Sequence, residues 1–194
     1  MSAAQRREQL LDVTKKLVGE HGFHDVSIEA IAKRAGITRP VIYAHFETLD
    51  ALLEAMLERE AMRALSQLGK ILPQVEPQGG ARRESLLRAL RGYLETIQAD
   101  PVTWRLVLMP PEGAPAVLRE TVENGRDSVV TALAQVVGPG PAQERPSPDP
   151  QLTARLLSAL SDEAARLLLR DPERYPIERL MRHADWLLGQ LVRA

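Results

Sequence analysis

The sequence predicts an all-α protein of about nine helices. In each long segment the apolar residues recur three and four positions apart, a spacing that places them on one face of a helix. Clusters of glycine and proline, such as PQVEPQGG and GPGPAQERPSPDP, separate these segments and favour loops. The alternation of helical periodicity with loop composition is typical of a purely helical fold.

The first predicted helix covers residues 4–21. Its apolar stripe consists of Leu10, Val13, Leu17 and Val18. This stripe can cover the two short helices that follow in the sequence. Gly22 is expected to end the helix, because glycine adopts the left-handed conformation of a helix C-terminus without a steric penalty.

Residues 27–46 predict two short helices joined by a tight turn. The first has an apolar stripe at helical spacing, formed by Ile28, Ile31, Ala32 and Ala35. Gly36 stands where this helix must stop, and the hydroxyl group of Thr38 is expected to cap the next one. Pro40 is tolerated in a first helical turn, whose N–H groups have no partner within the helix. The pattern indicates a helix-turn-helix.

The second helix of this pair exposes side chains of varied chemistry. Ile42 and Phe46 lie four residues apart and share the face that can pack on the first helix. The other faces carry a hydroxyl, a guanidinium, a small apolar group, a phenol and an imidazole, on Thr38, Arg39, Val41, Tyr43 and His45. Such groups are suited to base edges, thymine methyl groups and phosphates.

The rest of the chain predicts a larger helical body. Thr48 is expected to cap a fourth helix that runs to about Ile71 and carries Asp50 in its first turn. Further helices are predicted at residues 81–99, 102–109, 115–137, 150–170 and 176–193. The stretch 138–150 has five prolines and two glycines among thirteen residues, which predicts an exposed linker.

Composition limits the functional classes. The chain has no cysteine, which excludes disulfides and thiolate metal sites and suits a reducing cytoplasm. Its start is not typical of a signal peptide, and no segment has the roughly 18 consecutive apolar residues of a membrane span. The net charge is −1, yet residues 1–46 hold seven Lys and Arg against five Asp and Glu. We therefore expect a cytoplasmic protein without a membrane partner, whose N-terminal part is weakly favoured for nucleic-acid contact.

Neither catalysis nor a cofactor is predicted. The sequence contains no Gly-x-Ser-x-Gly elbow, phosphate-binding loop or helical His-Glu pair. His21 and His24 are three residues apart, but no carboxylate or cysteine supplies a further metal ligand at a fixed spacing. The acidic residues, such as Asp162 and Glu163, are typical of solvated helix faces.

The N-terminal pattern resembles the DNA-binding domain of the TetR family of transcriptional repressors. The similarity consists of Gly22-Phe23, Ser27, the run IAKRAGITRPVIYAHF and the acidic-apolar run LDALL. It implies a helix-turn-helix DNA-binding domain at residues 1–47 and a helical effector-binding and dimerisation domain at residues 48–194. One position departs from the pattern. The family commonly has a lysine where this chain has Leu49, so one phosphate contact is expected to be missing.

The resemblance implies that the second helix of the motif enters the major groove of DNA. Arg39 is the first candidate for a base contact, since a guanidinium can pair with guanine O6 and N7. Pro40 and Val41 can touch thymine methyl groups. The phosphate-contact candidates are Ser27, Lys33, Thr38, Tyr43 and His45. Tyr43 could instead be partly structural.

The resemblance also implies an effector cavity in the body and a dimer formed by the last two helices. The ligand-contact candidates are Tyr93, Trp104, Arg105 and Met109, although each of them taken singly is more simply an ordinary core residue. The expected interface has two helices from each protomer. Its candidate residues are Leu156, Leu160, Leu167, Leu180, Ala184, Trp186, Leu187 and Leu191.

These expectations describe a ligand-responsive transcriptional regulator, most simply a repressor. It would bind a pseudo-palindromic DNA operator as a homodimer and be released by a small apolar effector. Two alternatives stay open. One is a protein that activates transcription or organises DNA without any ligand, which a body without a cavity would favour. The other is a helical small-molecule-binding protein with a weak DNA-binding head, which a failure to bind any DNA would favour.

Overall fold

The computed structural model describes residues 1–71, 82–110, 116–138 and 147–193. In these ranges the chain forms nine α-helices and no strand, which confirms the all-α prediction. None of the described helices is long and apolar enough to cross a membrane. The helices are α1 Ala3–His21, α2 Ile28–Ala35, α3 Arg39–Tyr43, α4 Leu49–Ile71, α5 Arg82–Ala99, α6 Pro101–Leu108, α7 Ala116–Val137, α8 Pro150–Arg170 and α9 Ile177–Arg193.

Most predicted helix ends agree with the structure to within one or two residues. Thr48 caps α4 as expected, since its hydroxyl accepts from the backbone N–H of Ala51 at 3.0 Å. Gly22 was predicted to be left-handed, which is wrong in detail: its φ is 80° but its ψ is 174°. The chain thus leaves α1 in an extended direction that still requires glycine. Most of the predicted linker lies outside the described residues.

The N-terminal helices share one apolar core. Side chains of α1, α2, α3 and the first half of α4 form it, with Leu10, Ile31, Ile42 and Leu52 fully buried. Leu106 of α6 joins the same cluster. A second cluster of buried side chains, around Trp104, is formed by α4, α5, α6, α8 and α9. Helix α4 therefore contributes to both clusters, and α6 touches the first. These two helices link the head, formed by α1, α2 and α3, to the larger helical body that follows it.

A buried polar network fixes this junction. The carboxylate of Glu60 on α4 is completely buried. The ammonium group of Lys15 on α1 lies 2.9 Å from Glu60 and 2.9 Å from Asp100, which precedes α6. The hydroxyl group of Thr103 on α6 lies within hydrogen-bond reach of both carboxylates and accepts from Lys15 at 2.6 Å. Three helices thus converge on one pair of carboxylates. We call these four residues the junction network.

Arg59 extends this network towards the first helix. Its guanidinium donates to Glu60 at 2.9 and 3.1 Å and to Glu8 of α1 at 2.9 Å. It also lies 2.9 Å from Asp12 of α1. Burial alone would raise the pKa of Glu60, but the hydrogen bonds from Thr103 and Lys15 and the positive charges of Lys15 and Arg59 outweigh it and lower the pKa below its usual value. Glu60 therefore stays charged in the folded protein.

We expect Glu60→Gln to lower the free energy of unfolding by about 3 kcal/mol at neutral pH. The variant loses the negative charge, and its amide N–H group would point at N–H groups that now donate to the Glu60 carboxylate. The pKa of Glu60 is lower in the folded protein than its usual value of 4.5. Its stabilising contribution is therefore complete above about pH 4.5 and is lost as the pH falls through the lowered pKa of the folded state. The deficit of the variant should therefore shrink in acid. Urea unfolding at neutral pH and at about pH 4 measures both effects.

The matched control is Glu58→Gln, an exposed residue of the same helix, which should change stability by less than about 0.5 kcal/mol. A Glu60→Gln deficit that is the same at both pH values would show that the charge of Glu60 is not what stabilises the junction.

Candidate DNA-binding surface and effector cavity

The turn between α2 and α3 has the geometry that the sequence predicts for a helix-turn-helix. Ser27 caps α2, and its hydroxyl accepts from the backbone N–H of Ala30 at 3.2 Å. Gly36 ends α2 in the left-handed conformation, with φ 67° and ψ 36°. The backbone N–H of Ile37 returns to the carbonyl of Ala32 at 3.0 Å and closes the helix end.

Thr38 does not cap α3 with its side chain, so that prediction is wrong. Thr38 is the N-cap residue, but its hydroxyl accepts no backbone N–H of α3. The reason lies in the next turn. Pro40 has no N–H, and the N–H of Val41 donates to the backbone carbonyl of Thr38 at 3.1 Å instead. The hydroxyl of the exposed Thr38 is therefore left free of the helix and can meet a phosphate.

The short helix α3 buries one face and exposes the others. Ile42 is completely buried and anchors α3 to the head core as predicted, whereas Phe46, 4% exposed in the same core, follows the end of α3 at Tyr43 rather than sharing a face of that helix. Tyr43 is 52% exposed, which disfavours a purely structural role for its ring. Of the other contact candidates, the exposed ones are Lys33, Thr38, Arg39 and Pro40, and the half-buried ones are Ser27, Val41 and His45. Their contacts with DNA stay a prediction.

Arg39 has a partner in the free protein. Its Nη1 donates to Oε1 of Glu29, in the first turn of α2, at 2.5 Å. The pKa of Glu29 is lowered by its backbone hydrogen bond and then by the bond from Arg39. Both side chains are more than 60% exposed. The pair orients Arg39 while leaving most of its N–H groups to solvent.

Leu49, where the family commonly has a lysine, packs against the head core. It is the first residue of α4 and is half-buried. This position therefore contributes an apolar contact at the start of α4, where a lysine would supply a cation.

The body contains a partly open cavity of about 700 Å³. Side chains of α4 to α9 line it, and most of them are leucine, isoleucine, valine or alanine. Tyr93 and Trp104 form part of the wall and meet edge to face, with ring centroids 5.3 Å apart. The size and the apolar wall are typical of a small-molecule site.

Arg105 and Met109 do not join Tyr93 and Trp104 in this wall, as far as the described residues define it. Both lie on a smaller pocket of about 170 Å³ between α1 and α6. The guanidinium of Arg105 donates to the carbonyl of Leu169 at 3.1 Å, near the end of α8. Successive residues of a helix point in different directions, which separates Arg105 from its neighbour Trp104.

One polar cluster interrupts the apolar wall. The Tyr93 hydroxyl donates to Oδ1 of Asp162 at 3.1 Å, and Arg126 donates to Oδ2 from Nε at 3.2 Å and from Nη2 at 2.9 Å. Burial, and then the nearby Asp162 carboxylate, raise the pKa of Tyr93 well above its usual value, so the phenol remains a neutral donor. We call these three residues the cavity cluster.

The sequence interpretation of Asp162 as a solvated residue is wrong. Its side chain is only 15% exposed and faces Tyr93 and Arg126. A signal was available, since Ser158 and Ala165 lie four residues before and three residues after it and are both buried. Arg126 was missed for a different reason: nothing in the local sequence of α7 pairs it with α8.

Trp104 connects the cavity to the helix that enters the head. Its ring is in the cavity wall, and its Nε1 donates to Oε1 of Gln67 on α4 at 3.0 Å. The preceding residue, Thr103, belongs to the junction network. Helix α6 therefore touches both the cavity and the polar contacts that hold α1.

Most of the predicted interface residues line the cavity, and two of these are exposed. Leu156 and Leu160 of α8 are each 57% exposed, and Trp186 of α9 is 56% exposed. The half-buried candidates are Leu167, Leu180, Ala184 and Leu187. All of these except Trp186 also line the cavity. The side chain of Leu191 lies outside the described residues, and the dimer itself stays a prediction.

A helix-turn-helix with an exposed second helix, carried by a helical body around an apolar cavity, defines a class of DNA-binding proteins. The family profile described as "Bacterial regulatory proteins, tetR family" matches residues 10–56. Residues 10–56, which hold the helix-turn-helix, therefore match the TetR family of bacterial regulatory proteins.

Two curated relatives are similar to this chain. It is 29% identical over 103 residues to the HTH-type transcriptional activator FasR of Mycolicibacterium smegmatis, a match covering 53% of this chain and 45% of FasR. It is 28% identical over 159 residues to the HTH-type transcriptional regulator BetI of Serratia proteamaculans, covering 81% of this chain and 77% of BetI. The aligned part therefore spans less than half of FasR.

Solved structures share the whole fold. A TetR-like regulator from Rhodococcus sp. RHA1 superposes with a TM-score of 0.73 at 23% identity, covering 100% of this chain and 99% of that one. A putative regulator from Saccharomonospora viridis in complex with choline gives 0.71 at 19% identity, covering 96% of each chain. FadR of Bacillus subtilis in complex with stearoyl-CoA gives 0.65 at 17% identity, covering 93% of this chain and 96% of FadR.

Two glycine variants test the left-handed backbone conformation of Gly36. Gly36→Ala should destabilise the protein by about 1 kcal/mol, because its φ of +67° is unfavourable for any residue with a Cβ. Gly69→Ala, inside α4, should instead stabilise it by up to about 1 kcal/mol. A Cβ would meet nothing within 4 Å at either position, so the comparison isolates the backbone angle. Urea unfolding of both variants is the measurement, and effects of the same sign would contradict the turn geometry.

Proposed function

We propose that the protein is a ligand-responsive transcriptional regulator, most simply a repressor. In this proposal it binds a pseudo-palindromic operator as a homodimer, and a small, mostly apolar effector releases it. No reaction is catalysed. The chain spans less than half of one curated relative, so these activities and partners are proposed from its own geometry.

The observation that carries the proposal is the position of α6. This helix holds Trp104 in the cavity wall and Thr103 in the junction network, one residue apart. A ligand that moves Trp104 would therefore also act on Lys15 of α1 and, through Gln67, on α4. The effector must bind the two arrangements of α6 with different affinities for this to change DNA binding.

The cavity favours this function over a ligand-independent regulator, which would need no such space. The choline and stearoyl-CoA complexes support it, because two proteins of the same fold hold small molecules. The exposed Thr38, Arg39 and Tyr43 on one face of the head disfavour the alternative of a weak or vestigial DNA-binding head.

On DNA, α3 would lie in the major groove. Arg39 would donate to a guanine edge, either in place of its bond to Glu29 or in addition to it. Pro40 and Val41 would contact thymine methyl groups. Phosphates would be held by Ser27, Lys33, Thr38, Tyr43 and His45. The half-buried Ser27 already uses its hydroxyl as a cap acceptor, so it would approach a phosphate by donating its own proton.

The experiment that tests the function is selection of bound fragments from the source genome, followed by anisotropy titrations of the selected fragment at several salt concentrations. A palindromic consensus bound by two protomers, with affinity falling steeply as salt rises, is the expected result. No enrichment at low salt would contradict DNA binding. A selected operator whose affinity does not change with any ligand of the cavity would contradict the effector response.

Arg39→Ala should flatten the preference at one base position of the selected consensus, a loss of about 1 to 3 kcal/mol of discrimination. Tyr43→Phe should weaken binding to all sequences about equally, because it removes a phosphate contact. Arg34→Ala is the control within the same motif, since Arg34 is exposed at the end of α2 and pairs with Glu20. Repeating the selection with each variant measures the effect. An unchanged consensus for Arg39→Ala would show that another residue reads that base.

Trp186→Glu should dissociate the proposed dimer, because it replaces the exposed tryptophan that the partner is proposed to cover by a carboxylate, without altering a residue that lines the cavity. Met62→Glu is the matched control, since Met62 on α4 is 61% exposed and lies outside the proposed interface. Sedimentation at micromolar protein should give twice the 21.5 kDa chain for wild type and Met62→Glu, and one chain for Trp186→Glu. A wild-type mass of one chain would refute the dimer.

A further inference from the structure

The cavity wall restricts the chemistry of its occupant. Most of the wall is aliphatic and is contributed by six helices. The cavity cluster, formed by Tyr93, Arg126 and Asp162, is the place where side-chain hydrogen bonds and an ion pair are described within that wall. Thr153, Ser158, Ser161 and Gln190 also border the cavity, but the charged groups that meet each other are in the cluster. We therefore expect an occupant that is apolar over most of its surface and polar where it meets the cluster.

The charges of the wall are already balanced. Asp162 engages both carboxylate oxygens, one with the Tyr93 hydroxyl and the other with Arg126. Glu163 also borders the cavity, and its carboxylate lies 3.2 Å from Arg166. Each acidic side chain of the described wall thus has an arginine beside it. His183 also borders the cavity. Its side chain is exposed and stacks on Trp186, with the two ring centroids 5.4 Å apart.

A charged occupant would disturb this balance. A carboxylate that pairs with Arg126 would stand beside the carboxylate of Asp162. A cation that approaches Asp162 would stand beside the guanidinium of Arg126. Either arrangement leaves a surplus charge in a mainly aliphatic wall, beside an Asp162 side chain that is 15% exposed and an Arg126 side chain that is 39% exposed, and this is unfavourable. An uncharged head group avoids both.

The cluster offers an occupant a charged donor, besides the acceptor capacity that remains on the Tyr93 oxygen and on Asp162. Nε and Nη2 of Arg126 both donate to Asp162, whereas Nη1 has no acceptor in the part of the chain that the structure describes. We infer that the effector is an uncharged amphiphile whose single accepting head, such as an amide or ester carbonyl, bonds to Arg126 while its aliphatic part fills the leucine-rich wall. The inference rests on the proposed function, because it takes this cavity as the effector site.

Three probes with the same aliphatic chain and different heads test the inference: octanamide, octanoate and octyltrimethylammonium. Isothermal titration calorimetry of the full chain at neutral pH gives the affinity of each. Octanamide is expected to bind at least about tenfold more tightly than either charged probe, the scale of one hydrogen bond to a charged group. A charged probe that binds as tightly as octanamide would overturn the inference, and so would no binding by any of the three.

Two variants should shift the preference in opposite directions. Arg126→Met leaves Asp162 without its counter-charge, so octyltrimethylammonium should gain about tenfold relative to octanamide. Asp162→Asn leaves Arg126 without its counter-charge, so octanoate should gain by a similar factor. Arg155→Met, an exposed arginine of α8 outside the wall, should keep the wild-type order. Shifts in the same direction for the first two variants would show that charge balance does not select the head group.

The result separates the inference from the proposed function. Octanamide that binds with the expected preference but leaves operator affinity unchanged would support the inference and contradict the effector response. A charged ligand that releases the operator would support the proposed function and overturn the inference. The variant titrations need no DNA, so the head-group preference can be measured even if operator binding fails.

Discussion

The buried carboxylate of Glu60 is the constraint on which the arrangement of head and body depends. A completely buried charge is tolerated only when every neighbouring donor is in place. Here the donors come from three directions: Lys15 from α1, Thr103 from α6 and Arg59 from α4 itself. Because a small displacement of any one helix would leave this charge unsatisfied, the three helices hold a common position. The network therefore constrains the geometry with which the three helices meet.

This constraint also makes the junction suitable as a switch. A network that tolerates little gradual displacement changes between discrete arrangements. The Thr103 hydroxyl has one proton but lies near the carboxylates of both Glu60 and Asp100, so it can donate to only one at a time. Trp104, the next residue, is completely enclosed by the body core and the cavity wall. A ligand acting on that ring would therefore act on a helix whose other contacts allow few alternatives.

The helices could be predicted from the sequence, but the polar contacts between helices could not. Helical periodicity and capping residues located the helices because both signals are local. The burial of Glu60 could have been suspected, since Met56 and Ala64, four residues to either side, lie on the same buried stripe. Its partner Lys15 lies 45 positions away in the sequence, and no local pattern joins the two residues. The same limit separates Arg126 from Asp162, so the polar centre of the cavity is visible only in three dimensions.

The proposed dimer and the proposed effector site share part of their surface. Leu156 and Leu160 line the cavity and are also among the most exposed leucines of the described chain. Under the proposed dimer, a partner would cover these side chains and change the outer boundary of the cavity. Ligand binding and dimerisation would then be coupled, and by linkage each would alter the affinity of the other by the same factor. Operator recognition by two symmetric heads would depend on the spacing between protomers, so under the proposed dimer this shared wall would provide a second route from the effector to DNA, independent of α6.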